Sequence, residues 1–388
     1  MVRLAHGAIR IDVGSAERAV LEWLVEFLGP AFEERSADAA APDHLVRFDA
    51  APVEHAELHA LLASAPAGEI EGFTLDGEFT RHRAFVDRHG LAWAHDDSHD
   101  VFFCVEPGGR TVRVVAPRPD GGPRVALMRV VRELATVALL RSGRLPVHGA
   151  AFALDGGAVL LCGPKRSGKS SLLVHALRGG GEFLSNDRVF VDVGAAPAAR
   201  GMPTIVMLRD GTLDRFAGLT EAFERARFDR SRAIAECAPG VDRPEPKAGA
   251  GFDRPGVSPA QFCRLLGAPM RAEAPVALLL FPRIDASADG LVLERLDSVA
   301  ALRAMEKSLL VPSHPVRLSP LFAPGSAAEP IAAAAVERCR RLVEQVPAYA
   351  CRLGRDAYRG DLADALREAL GPTTSSAPGA PRRGSGGR

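Results

Sequence analysis

Gly163, Gly168, Lys169 and Ser170 stand at the spacing G-x-x-x-x-G-K-[ST] within "LLCGPKRSGKSSLL". This spacing suits the cradling of phosphate. Glycines let the chain turn tightly, so that successive backbone N–H groups face phosphate oxygens. The helix expected to follow aims its N-terminal dipole at the same anion. Lys169 is spaced to reach the outer phosphates, and the Ser170 hydroxyl to ligate Mg²⁺. Gly163, Pro164, Lys165, Arg166, Ser167, Gly168, Lys169, Ser170 and Ser171 are therefore the candidate nucleotide-binding residues, with ATP and Mg²⁺ as the expected ligands. A product of residue frequencies gives roughly 0.003 chance matches to the pattern, so coincidence explains it poorly.

Chemistry at such a loop also calls for a carboxylate near the terminal phosphate. Asp187 closes the extended segment after the loop's helix, and Asp285 follows the strand-like "VALLLFPRI". Asp285 comes after Pro282 and Arg283 and so falls past the strand end, which leaves Asp187 as the stronger candidate. Further positive charge is available from Lys165, Arg166, Arg188 and Arg283, although a solvated surface role is the default for an arginine.

These residues need a scaffold. Residues 1–130 read as a mixed α/β region. "SAERAVLEWLVEFLG" predicts a helix capped by Ser15 and stopped at Gly29. "HLVRFDA", "DVFFCVE" and "TVRVVAP" alternate as strands do, and "RVALMRVVRELATVALLRSG" has helical spacing up to Gly143. Residues 131–371 form the expected second unit. "GAAFAL" and "AVLLC" predict a hairpin turning on "DGG", followed by the loop, the helix "KSSLLVHALRGGG" and the extended "EFLSNDRVFVDV". Residues 195–270 are rich in Pro, Gly and Arg and predict a long mobile excursion. "VALLLF" and "LVLERL" predict strands, "SVAALRAMEKSLL" a helix capped by Ser298, and "AAAAVERCRRLVEQ", "PAYACRL" and "RGDLADALREAL" a helix, a strand and a last helix. Residues 372–388 have the composition of a disordered tail.

Composition narrows the classes. The chain has 388 residues, with 48 basic and 48 acidic side chains, so no basic excess points to nucleic acid. The N-terminal "MVRLAHGAIRIDVG" has no apolar run of a secretory signal, and no stretch is long enough for a membrane span. Six scattered cysteines without C-x-x-C spacing predict reduced thiols in a cytoplasmic protein.

The segment "VHGAAFALDGGAVLLCGPKRSGKSSLLVHALRGGGEFLSNDRVFV" resembles the core of the HPr kinase/phosphorylase family. That family shares its fold with phosphoenolpyruvate carboxykinase. The family pattern is a His-Gly on a strand, a hairpin, the phosphate loop, a helix ending in a glycine-rich turn, then a strand closing on two aspartates. Here His148 stands 21 residues before Lys169, and Asn186 and Asp187 stand 17 and 18 after it. The resemblance implies an α/β fold with a P-loop kinase core of the HPr kinase/phosphoenolpyruvate carboxykinase type, preceded by the N-terminal mixed α/β region. It implies Asp187 as the general base for an acceptor hydroxyl, with catalytic roles for Lys169 and His148 and a metal ligand in Ser170. Asn186 departs from the first family carboxylate. "RGMPTIVMLRDGTLDRF" lacks the glutamate that bifunctional members carry after the lysine. The resemblance is therefore weakest for the reverse, phosphorolytic reaction and for HPr as acceptor.

The expected function is transfer of the γ-phosphate of ATP to a serine-type hydroxyl of a peptide, protein or small molecule. The alternatives are a nucleotide-binding ATPase or switch, and a P-loop module that has lost catalysis. The absence of an LSGGQ-like signature disfavours an ABC-type ATPase, and the absence of an NKxD-type base reader disfavours a GTPase. Residues 1–130 are expected to offer an acceptor-binding surface or the dimer surface of a homo-oligomer.

Overall fold

The computed structural model describes residues 1–36, 41–65, 68–75, 78–227, 256–310, 328–360 and 362–370. Residues 228–255 of the expected excursion, with Cys237 and Lys247, lie outside the described residues, as do His314 and the tail at 372–388. The described remainder of 195–270 is not the long excursion expected, since it holds a strand at Ala198–Met202 and helices at Asp210–Leu213, Leu219–Arg227 and Pro259–Leu266. The chain is mixed α/β, with two large sheets and helices against their faces.

The first sheet takes up the N-terminal third. It is built from β1 (Val2–His6), β2 (Ile9–Ser15), β3 (Glu33–Arg35), β4 (His44–Ala50), β5 (Gly68–Leu75), β6 (Glu78–Val86), β7 (Ala92–Asp96), β8 (Val101–Val105) and β9 (Thr111–Ala116). Their order is β3-β1-β2-β4-β9-β8-β7-β6-β5. The strand pattern of the sequence is realised with strict alternation. Val112 and Val114 face one core, while Val115 and the β8 residues Phe102 and Cys104 face the other. Helix α1 (Arg18–Leu28) covers the first face with Val20, Leu21, Leu24, Phe27 and Leu28, a helical stripe. Its cap position is Glu17 rather than the expected Ser15, whose hydroxyl instead accepts from the Glu17 N–H. Helix α2 (Pro52–Ser64) covers the second face with Leu58 and Leu62.

Helix α3 (Gly122–Arg141) is buried on nearly every side, so it must lie between two layers. The boundary expected near residue 130 falls inside it. A single apolar core runs from Val13 and Val46 through Leu134 and Ala135 to Val147 and Leu342. Polar ties cross the same junction: the His6 ring meets the Gly201 carbonyl at 3.1 Å, and Arg264 pairs with Glu26 at 2.8 Å.

The remaining strands are β10 (Leu145–Leu154), β11 (Gly157–Cys162), β12 (Glu182–Ser185), β13 (Arg188–Asp192), β14 (Ala198–Met202), β15 (Glu273–Ile284), β16 (Leu291–Arg295) and β17 (Ala348–Leu353). Two long strands each serve three partners. β10 pairs with β13 through residues 145–148, with β11 through 149–154 and with β12 through 151–153. β15 pairs first with β14, then runs parallel to β11 and β17. Gly149 sits where β10 changes partner, and a Cβ there would come within 2.6 Å of the Leu161 carbonyl oxygen. Helix α4 (Lys169–Arg178) packs Leu172, Leu173 and Leu177 on Phe152, Val159 and Leu161. Next in the chain come α5 (Asp210–Leu213), α6 (Leu219–Arg227) and α7 (Pro259–Leu266). The intervening residues of β11, Leu160 and Cys162, face the opposite layer, with α8 (Ser298–Glu306) and α9 (Ala328–Gln345). The α8 cap is Asp297, which accepts from the Ala300 N–H, and not the expected Ser298. The β10–β11 turn places Asp155 and Gly156 at positive φ, as the "DGG" signal predicts. Among the described residues no helix is long and apolar enough to cross a membrane.

Candidate functional site

The loop lies between β11 and α4, after a buried strand and at a helix N-terminus. Its backbone turns at Gly163 (φ 144°), Arg166 (φ 68°) and Gly168 (φ 104°). Gly168 has no room for a side chain, since a Cβ would lie 2.5 Å from Leu353 Cδ1. Lys169 Nζ donates to the carbonyls of Gly163 (2.6 Å) and Pro164 (2.9 Å), so the ammonium spans the loop. Burial pulls the Lys169 pKa down, and the charge of Asp187 works against that pull. Lys165, Arg166 and Ser170 are exposed. Ser167 Oγ is buried and has no hydrogen-bond partner among the described residues. Ser171 differs from its neighbours: its hydroxyl is buried and shares a 3.0 Å hydrogen bond with Thr212.

Asp187 occupies the turn between β12 and β13. The β10–β13 register sets His148 directly across from Arg188, which brings the histidine to the preceding carboxylate. His148 Nε2 lies 3.2 Å from Asp187 Oδ1, and Arg188 Nε lies 3.7 Å from Oδ2. Burial works to raise the Asp187 pKa. The His148 hydrogen bond and the charges of Arg188 and Arg132 outweigh it and hold the carboxyl down at about 2. The side chain is still 43% exposed, so it is reachable from solvent. The backbone fixes the pair further: Gly149 N–H donates to the Asp187 carbonyl (2.9 Å) and His148 N–H to the Ser308 carbonyl (2.7 Å).

Asn186 is spent on structure. It accepts from Thr204 Oγ1 (2.8 Å) and donates through Nδ2 to the Ile205 carbonyl (3.2 Å). Asp285 directly follows β15, as expected, and its carboxylate is turned onto its own loop by the Ser287 N–H and hydroxyl. Arg283 is exposed and lies 3.6 Å from Asp285.

Sequence reasoning missed Arg132 of α3, whose charge acts on Asp187, and Arg129, whose charge acts with that of Arg188 on Arg132. Their spacing merges into the helical pattern, and nothing local marks them. Burial lowers the pKa of both, that of Arg132 to about 9 with help from the charges of Arg188 and Arg129. Among the described residues the buried Arg132 Nε has no partner, and Nη1 donates to the Met128 sulfur at 3.5 Å. Crowded cations with an unused donor are a setting that an anion relieves. A separate pocket of about 380 Å³ is lined by His6, His44, Arg141, Arg144 and Arg200 among others, and contains none of the loop residues.

No protein-family model matches the chain, and no curated protein matches it.

Proposed function

We propose that this chain is a P-loop kinase of the HPr kinase/phosphoenolpyruvate carboxykinase type, transferring the γ-phosphate of ATP to a serine-type hydroxyl. The acceptor would be a peptide, a protein or a small molecule. The observation that carries this reading is the Asp187 carboxylate. It acts on the Lys169 charge, is held by His148 and Arg188, and is still open to solvent.

The residues fit the group they would hold. The loop amides and Lys169 would bind the outer phosphates, and the unpartnered Ser167 hydroxyl supplies a buried donor for a phosphate oxygen. Ser170 would ligate Mg²⁺, which neutralises charge on the phosphate oxygens. Arg132 and Arg188 would stabilise the negative charge of the phosphoryl group in transit. Asp187, ionised at neutral pH, would accept the hydrogen bond of the incoming hydroxyl. A carboxylate near pKa 2 is a weak base, so its main work is orientation. A loose transition state asks little more of it. His148 would keep the carboxylate facing the acceptor.

The reading is tested by incubating the protein with γ-labelled ATP and Mg²⁺, with and without seryl peptides, and Asp187→Asn in parallel. Label on an acceptor that disappears in the variant supports it. Release of phosphate alone favours an ATPase or switch. Two observations favour that second class, or a module that has lost catalysis: Asp187 is already ion-paired to Arg188, and its neighbour is Asn186.

A further inference from the structure

His55, His59, His95 and Asp100 bring one ligand atom each to within 4.8 Å of one another, at a place remote in sequence from the glycine-rich loop. The elements explain the convergence. His55 and His59 are four residues apart on α2 and share a face of the helix. His95 is on β7, and the turn after it returns Asp100 to the same spot, at φ 53°.

The distances from Asp100 to the three imidazoles are those between ligands of a coordination shell. Asp100 Oδ1 lies 3.3 Å from His55 Nε2, 3.2 Å from His59 Nε2 and 3.3 Å from His95 Nε2. A tetrahedral ion with ligands at about 2.0–2.1 Å spaces them about 3.3 Å apart. The hydrogen bonding of His95 leads the same way. Asp97 Oδ1 lies 2.9 Å from His95 Nδ1 and can only accept, so that nitrogen carries the proton. In the neutral ring Nε2 is then a bare lone pair aimed at a carboxylate oxygen. A cation between them turns repulsion into ligation, and the Asp97–His95 pair becomes the outer carboxylate that commonly orients a metal-bound histidine. His55 Nε2 is also 3.1 Å from the Asp100 carbonyl, a contact it would exchange for the metal. Phe102 packs on His95 at 4.5 Å and on His59 at 5.0 Å, which walls one side of the cluster with apolar surface.

We propose that His55, His59, His95 and Asp100 bind a divalent cation of the zinc class in a tetrahedral site that pins α2 to the end of β7. Three imidazoles and a carboxylate suit zinc better than Mg²⁺ or Ca²⁺. Four protein ligands leave no open position, so the role is structural. This site is independent of the nucleotide reading.

The test uses untagged full-length protein, stripped with a chelator and titrated with Co²⁺ and then Zn²⁺ alone. The expected result is a single equivalent of Co²⁺ with the intense visible bands of tetrahedral cobalt, displaced by Zn²⁺, and a rise in Tm on binding. His59 is 40% and Asp100 55% exposed, so His59→Gln and Asp100→Asn disturb the core little. Each should lower the Zn²⁺ affinity about 100-fold or more, and Asp97→Asn about 10–100-fold. Circular dichroism of the metal-free proteins separates ligand loss from misfolding, and the exposed Asp97 supplies a folded variant if the others fail. No cobalt uptake, pale octahedral spectra, or equal affinity across wild type and variants would overturn the site.

Discussion

The loop at Gly163–Ser170 and the histidine cluster at the end of β7 are built by opposite means. The loop is contiguous, and its binding groups are largely backbone, aimed by positive-φ turns and a helix N-terminus. The cluster draws its groups from a helix, a strand and a turn, and nothing but their side chains could hold a ligand. A backbone site survives as long as its few residues can turn. A side-chain site depends on the sheet register and on the helix packed above it. The arginines whose charges act on Asp187 follow the second logic and the glycine-rich loop the first, so the proposed nucleotide site combines both.

Loss of the loop cation should separate the two regions most sharply. Lys169→Ala is expected to cut ATP turnover about 10³-fold or more while leaving zinc affinity unchanged. ATP turnover equal to wild type would end the loop assignment. Next comes Asp187→Asn, expected to lower acceptor phosphorylation about 10²–10⁴-fold with nucleotide affinity retained. Transfer assays beside equilibrium binding decide it, and equal transfer rates would remove Asp187 from the chemistry.

Acid should test the junction between the regions. His6 is fully buried against the Gly201 carbonyl, and burial lowers its pKa from 6.5 to about 4. The folded state therefore resists a proton that the unfolded chain accepts. The stabilising difference is complete above pH 6.5 and is lost as pH falls from there towards 4. It amounts to something on the order of 3 kcal/mol. Denaturant midpoints measured across that range should fall for wild type and fall less for His6→Phe. Parallel slopes would mean that His6 is not the sensor. The smallest effect expected is that of Asp97→Asn on the nucleotide site. Its ATP affinity should match wild type while zinc binding weakens, and a joint loss would show that the two regions are coupled.

Much of the scaffold was legible beforehand. β4, β8, β9, the β10–β11 hairpin, α3 and α4 fall where alternation, helical spacing and turn residues put them. Local rules suffice there because strand and helix patterns report which face is buried. The helix caps were less legible. Ser15 and Ser298 are good capping residues, yet Glu17 and Asp297 hold the positions, because where a chain enters a helix depends on the strand before it. Within the site, the pairing of His148 with Asp187 could be anticipated only through family resemblance. The register of β10 on β13 supplies its geometry.

The amino-acid sequence by itself determined the glycine-rich turn, the helix dipole behind it and the lysine within it, since all three arise from adjacent residues. His55 and His59 stand four residues apart, and "HDDSHD" is rich in histidine and aspartate, but neither stretch by itself announces a site. Only the tertiary structure decided that these meet, that the charge of Arg132 acts on Asp187, and that Ser171 is spent on Thr212. Each of those outcomes needs side chains from separate elements to arrive at one point. Packing, register and turn geometry fix that point together, and no local pattern encodes it.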